Sequence, residues 1–204
     1  KCKVDSITVH LREDRRHIND KDLKKLCSDK KIKVNLEMAA NYQMLKIALY
    51  YRPSYVCIVP EKRNEVTTEG GLNLNKYKIK ISKIVEKLNQ ENIRTSLFIN
   101  PSLNDIKLSK LINTKCVEIH TGKLSRLVKE NNNYNKEINK IKSCAMLGKS
   151  LNIEMHAGHG MDYKTAKLLK KIKEIEEYNI GHFIIGESIF FGLNKIIKNF
   201  KKIL

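Results

Sequence analysis

Short apolar runs rich in β-branched residues alternate along the chain with longer stretches whose apolar positions recur at helical spacing. The short runs fall at residues 4–10, 32–38, 55–59, 93–99, 116–120, 151–156 and 180–185. Between them, helical periodicity is clearest over 41–51, over 74–90 and over 135–147. In 74–90, Tyr77, Ile81, Ile84, Val85 and Leu88 share one face, and Gly148 is placed to stop the helix that begins near 135. Asn19 and Asp162 precede further helical stretches as N-cap residues. The polar segment 123–135 predicts an irregular or extra-helix excursion, and 189–204 an amphipathic closing helix. This alternation predicts an α/β fold with a mainly parallel sheet. Seven βα units are one short of the eight-stranded (β/α)8 TIM barrel, and an open doubly wound sheet satisfies the same periodicity.

Composition narrows the class. With 41% hydrophobic and 30% charged residues in 204, the chain is expected to fold, as one domain over 1–204. Its net charge of +18 would ordinarily point to a polyanion partner. The 33 lysines, however, are spread over every helical stretch and come with 20 asparagines and only 7 arginines. That is compositional drift toward Lys, Asn and Ile, with lysines on solvated helix faces, and it predicts no specific nucleic-acid site. The five cysteines form no CxxC pair, so neither a zinc motif nor a disulfide framework is indicated, and they are expected to be reduced. No apolar run is long enough to span a membrane and no signal-peptide pattern is present, which predicts a cytoplasmic protein. The first residue, Lys1, stands just ahead of a strand, and a segment upstream of it is expected.

Candidate chemistry favours the barrel, because barrel enzymes draw their sites from the C-terminal ends of many strands. All six histidines, His10, His17, His120, His156, His159 and His182, lie in or just beyond the expected strand ends. Imidazole is the side chain best suited to proton transfer near neutral pH. Glu37 and Glu118 interrupt otherwise apolar runs at the same edge; a buried carboxylate there has a raised pKa and becomes a usable acid or base. Arg12, Arg15, Arg16 and His17 form a basic group suited to phosphate, although a surface cluster is the ordinary reading of such a group in a basic protein. Gly158-His159-Gly160 and Gly181-His182 offer main-chain N–H groups to a second anion. The segment 60–71 reads as a mobile cover with glycine hinges at Gly70 and Gly71.

These segments resemble one family. Residues 7–18 (ITVHLREDRRHI), 35–39 (NLEMA), 59–71 (VPEKRNEVTTEGG), 118–122 (EIHTG), 157–160 (AGHG) and 179–182 (NIGH) are similar, in order and spacing, to the pyridoxine 5′-phosphate synthases. The resemblance implies a barrel with extra helices that condenses 1-deoxy-D-xylulose 5-phosphate with 3-amino-2-oxopropyl phosphate, with no metal or organic cofactor. By the same resemblance, His10 and Glu37 would be general bases, His159 a proton donor, and Glu118 a stabiliser of cationic intermediates. Arg12, His17 and Thr67 would hold the deoxyxylulose phosphate; Gly160, Gly181 and His182 would hold the aminoketone phosphate. It also implies a homo-oligomer, either a dimer or an assembly of dimers, and a preceding strand with Asn-x-Asp-His, without which weak or no turnover is expected. Two positions depart from the family pattern: His156 stands for Asn and Glu187 for Arg.

Two other functions fit the residues less fully. Another phosphate-binding barrel isomerase or synthase would need only one anion site. A Lys-rich nucleic-acid-binding protein would need stacking platforms, yet aromatics are 6% and Trp is absent.

Overall fold

The computed structural model describes residues 2–61 and 70–204. Strands and helices alternate from the start: β1 (Ile7–His10), α1 (Asp20–Ser28), β2 (Val34–Ala39), α2 (Tyr42–Tyr51), β3 (Tyr55–Val59) and α3 (Leu74–Gln90). The middle of the chain adds β4 (Arg94–Ile99), α4 (Leu103–Leu111), β5 (Cys116–His120), α5 (Gly122–Lys129) and α6 (Asn135–Ser150). It closes with β6 (Glu154–Gly158), α7 (Tyr163–Leu169), β7 (Ile175–Asn179), α8 (His182–Phe191) and α9 (Leu193–Ile203). The strands form one parallel sheet in the order β1 to β7, so each strand pairs with its sequence neighbours. The α/β expectation holds, and the sheet is curled: Thr8 Oγ1 on β1 donates to Asn179 Oδ1 on β7 at 2.9 Å, linking the two edges through side chains.

Side chains alternate across each strand. Outward residues such as Leu36, Met38, Val56, Ile58, Leu97, Val117 and Ile119 pack with the inner stripes of the helices into the main core. In α3 that stripe is Ile81, Ile84, Val85 and Leu88, all fully buried, with Asn73 capping the helix through Lys76 N–H. The sequence-predicted caps are present: Asn19 makes a capping box with Asp22, and Asp162 accepts from Thr165 N–H.

The inward face is different. A barrel interior is ordinarily filled by bulky branched residues. Here the only separate apolar cluster on the inner positions, among the described residues, is Cys57, Val59 and Phe98. Around it Thr8, Glu118 and Asn179 join Cys57 in one polar layer, each from an alternate strand: β1, β3, β5 and β7.

Three expectations need correction. The last strand is not 180–185 but β7, and the apolar run after it starts α8. Periodicity misled because β7 (IEEYN) carries charges into the interior, whereas α8 is apolar all round; Ile185, Ile189, Phe190 and Phe191 are exposed on it. Gly148 does not end α6, which continues to Ser150; a Cβ on Gly148 would overlap the Met155 side chain, so the glycine serves close helix–strand packing. The closing helix divides at Gly192, whose φ of 79° separates α8 from α9. The excursion expected over 123–135 is α5 and the turn after it.

Candidate active site

Alternation along β5 puts Cys116, Glu118 and His120 on one inward ladder, from the N-terminal mouth of the sheet to its C-terminal rim. Glu118 lies at mid-height, 2% exposed. Its Oε2 accepts from Asn179 Nδ2 at 2.9 Å and lies 3.8 Å from the Cys57 thiol. Room for this carboxyl is made by Gly158 on neighbouring β6, since a Cβ there would overlap Glu118 Oε1. Glycine is thus required at position 158 by the Glu118 carboxyl itself. Burial, aided by the nearby charges of Glu37 and Glu177, pushes the Glu118 pKa well above the usual carboxylate range.

The β1–β2 register sets His10 beside Glu37. His10 Nδ1 is 3.7 Å from Glu37 Oε2, and its Nε2 is 3.5 Å from Glu61 Oε2, where β3 runs out. Burial, then the positive charge of Arg12 and the proximity of His17, lower the His10 pKa to about 4, leaving a neutral ring able to accept a proton. Glu37 keeps 24% of its side chain exposed; burial raises its pKa to about 7. Cys57 is the bridge between the two carboxyls, since its buried thiol feels both Glu37 and Glu118 and is pushed well above its usual range.

The third part of the site is aromatic. His120 and His159 have ring centroids 4.8 Å apart, with Phe98 edge-on at 5.3 Å from His120 and 6.4 Å from His159. His120 is also neutral, its pKa lowered to about 4 by burial and by His159. His159 has a φ of 76°, a conformation that costs a non-glycine residue of order 1–3 kcal/mol. Thr121 locks it: its Oγ1 donates to Gly158 O at 2.9 Å and His159 O at 2.7 Å. Gly122 fits against both rings, where a side chain would collide with His120 and His159.

His10, Glu37, Glu118 and His159 thus come together through an unbroken set of neighbours on the inner face and C-terminal rim. The residues expected to hold phosphate are more scattered. Arg12 is 1% exposed, its Nε 3.4 Å from Asp14 Oδ1, while His17 is exposed on the β1–α1 connection. Arg15 is turned to Asp20 at 2.7 Å and Arg16 to Asp14 at 2.6 Å, so the basic group is divided by its own carboxylates. Gly160, at φ 78°, packs on Gly122 and Ser125 between β6 and α7. Gly181 caps α8 in open space and His182 is its exposed first residue. Thr67 and most of the expected cover lie outside the described residues. Of the two glycines after it, Gly71 is no hinge: a Cβ would overlap the Asn100 and Ile99 backbone, and its N–H donates to Asn100 Oδ1 at 3.0 Å. Two surface depressions of about 370 Å³, one at Tyr42 and Asn75–Lys83, the other along α9, share no residue with this interior.

Sequence reasoning missed Asn179, Cys57, Glu61 and Thr121. No signal short of strand register could have found Cys57; Asn179 was within the motif 179–182, but its contact with Glu118 depends on the curling of the sheet. Thr121 was within the motif 118–122, but its locking role depends on β6.

Across residues 1–204 the chain matches the family model described as pyridoxal phosphate biosynthesis protein PdxJ. The chain belongs to this family. Among curated PdxJ relatives, the pyridoxine 5′-phosphate synthase of Pelagibacter ubique is 60% identical over 203 residues, covering 100% of this chain and 85% of the relative. That of Zymomonas mobilis is 48% identical over 98% of this chain and 78% of its own length. Solved structures of other proteins share the fold of this PdxJ-family chain. The native KDPGal structure superposes with a TM-score of 0.69 at 8% identity, covering 98% of this chain and 82% of that one. Monomers of phosphoribosylanthranilate isomerase from Thermotoga maritima give 0.63 at 10% identity, covering 98% and 87%. These structural likenesses bear on the α/β-barrel architecture alone.

Proposed function

We propose that the chain is a pyridoxine 5′-phosphate synthase, joining 1-deoxy-D-xylulose 5-phosphate and 3-amino-2-oxopropyl phosphate to give pyridoxine 5′-phosphate, phosphate and water. Family membership and relatives of that name support the reaction. The observation that carries the chemistry is the convergence of inward acids and bases on one interior: His10 and His120 with pKa values lowered to about 4, Glu37 raised to about 7, and Glu118 pushed well above the usual carboxylate range. Ring formation from an amine and two carbonyl compounds needs several proton transfers, and each requires a group already in the right state.

In this reading neutral His10 accepts a proton from substrate while Glu37, nearby, accepts or returns one near neutral pH. His159, fixed by Thr121, faces the same space beside His120 and protonates a leaving oxygen. A cationic nitrogen beside Glu118 favours its carboxylate form, which stabilises the cation. The buried layer around it keeps that interaction strong by excluding water. Arg12, His17 and Thr67 hold one phosphate, and Gly160, Gly181 and His182 the other; fixing both flexible substrates removes much of the entropic barrier. The reading extends to a homo-oligomer in a reducing cytoplasm, in keeping with five free cysteines. Among the described residues no helix is long and apolar enough to cross a membrane.

Incubating the chain with both substrates and following pyridoxine 5′-phosphate by mass spectrometry tests the reaction. Product dependent on both substrates is expected from the protein with any strand preceding Lys1 included, and its absence there would overturn the proposal. Crystals soaked with each substrate separately should show two distinct phosphate positions; a single shared position would favour a one-substrate isomerase instead.

A further inference from the structure

At the N-terminal mouth of the sheet, away from the proposed reaction, a second group of ligating atoms converges. Cys116 opens β5 and Glu154 opens β6, with His156 two residues on and facing the same way. Cys116 Sγ is 3.7 Å from Glu154 Oε2, His156 Nε2 is 3.0 Å from Glu154 Oε1, and one ligating atom from each of the three lies within 4.8 Å of the others. Cys116 and His156 are buried, whereas Glu154 keeps 33% of its side chain exposed, which leaves an approach from solvent. We propose that Cys116, Glu154 and His156 form a site for a soft divalent cation of the zinc type, distinct from the acid–base interior. Neither the cysteine spacing nor the family resemblance indicated it, because the three residues meet only through the β5–β6 register.

The chemistry of the donors suits such an ion. Thiolate, imidazole and carboxylate are zinc's usual ligands, and bond lengths of about 2.0–2.3 Å require the three atoms to draw in only slightly. The other ring nitrogen, His156 Nδ1, is 3.6 Å from Glu177 Oε1. A carboxylate behind a ligating histidine fixes its tautomer and raises its basicity. Arg94 now contacts Glu154 at 2.6 Å and Glu177 at 2.8 Å, with its guanidinium 3.9 Å from the centre of the Tyr55 ring. On metal binding it gives up the first contact and keeps the other two.

Electroneutrality favours the exchange. With His156 as a neutral ligand and the thiol protonated, the two carboxylates outweigh Arg94 by one charge; a dication that expels the thiol proton to solvent brings the cluster to neutrality. No atom is oxidised or reduced. Binding releases the thiol proton, so metal and proton compete for the sulfur and affinity should rise with pH.

The test is titration of the reduced full chain with cobalt(II) chloride, followed by zinc chloride. One equivalent of cobalt is expected to produce a thiolate-to-metal charge-transfer band that zinc abolishes. Cys116→Ser should remove the band, and both His156→Asn and Glu177→Gln should weaken binding by about tenfold or more. Saturating cobalt without such a band in the unsubstituted protein would overturn the proposal, as would a band that survives Cys116→Ser. Should that variant not fold, unchanged affinity in His156→Asn would decide against the site equally well. None of these readouts depends on turnover.

Discussion

Glu118 is a single side chain that opposes stability and, in the proposed reaction, serves chemistry. Below its usual pKa of 4.5 the carboxyl is protonated in both folded and unfolded chains, and burial carries little penalty. As pH rises above that value the unfolded chain ionises and the folded chain does not, so stability falls. Glu37 acts in the same direction between 4.5 and about 7. His10 and His120 act oppositely: their contribution is complete above 6.5 and is lost as pH drops toward about 4, where the unfolded chain gains protons first. Glu118→Gln should therefore raise the thermal midpoint at pH 8 more than at pH 5, while lowering kcat by about 10²–10⁴-fold. Equal midpoint changes at the two pH values would count against the buried, protonated state. Gly158→Ala is the complementary change: an added methyl in the space of Glu118 Oε1 should cost about 1–3 kcal/mol and reduce kcat with it. A fully active and stable alanine variant would show that Glu118 does not need that position. Neither residue's role was fully legible in sequence. Glu118 stood out as a charge in an apolar run, but Gly158 looked like part of an anion loop until the register across β5 and β6 was known.

The element that organises the rim is the β5–α5 turn, because it fixes His159 from another strand. Thr121 hydrogen-bonds two successive carbonyls of the β6 turn and holds His159 at positive φ. Removing its hydroxyl in Thr121→Val leaves the carbonyls without that partner and should cost about 1–2 kcal/mol of stability. It should lower kcat, since the proposed proton donor moves, and raise KM for the substrate whose phosphate Gly160 is proposed to hold. Crystallography or hydrogen exchange at residues 157–160 would check the loosening, and an unchanged kcat would remove Thr121 from the account. Elements with strong local signals were readable in advance: α3 runs over the residues that periodicity gave it, and the caps at Asn19 and Asp162 are in place. β7 and α8 were not. A charged strand and an apolar helix reverse the usual patterns, and only tertiary placement explains the first, since Glu177 reaches Arg94 at 2.8 Å and Asn179 reaches Glu118 at 2.9 Å inside the sheet.

For the whole molecule, the net charge of +18 is spread over exposed helix faces and acts as a diffuse field. Such a field attracts anionic substrates from a distance but adds little to contacts once they are bound. Raising ionic strength from about 0.01 M to about 0.15 M shortens the screening length from about 30 Å to about 8 Å. KM for both phosphorylated substrates should then rise with kcat unchanged, and any affinity for nucleic acid in filter binding should disappear. Sequence-dependent nucleic-acid binding that survives this change would point to an organised site instead.

By itself the sequence determined the alternating α/β plan, the helix caps, the family, and that His10 and His120 end their strands, because these follow from periodicity, capping chemistry and motif order along the chain; His156, Glu37 and Glu118 lie within strands and His182 opens a helix. The tertiary structure decided which of them share an interior. Parallel register and curling of the sheet bring Thr8, Cys57, Glu118 and Asn179 into one layer from four strands and gather Cys116, Glu154 and His156 at its other end. Burial within that curled sheet then shifts their pKa values, because desolvation depends on what surrounds a group in space and leaves no mark on its neighbours in the chain.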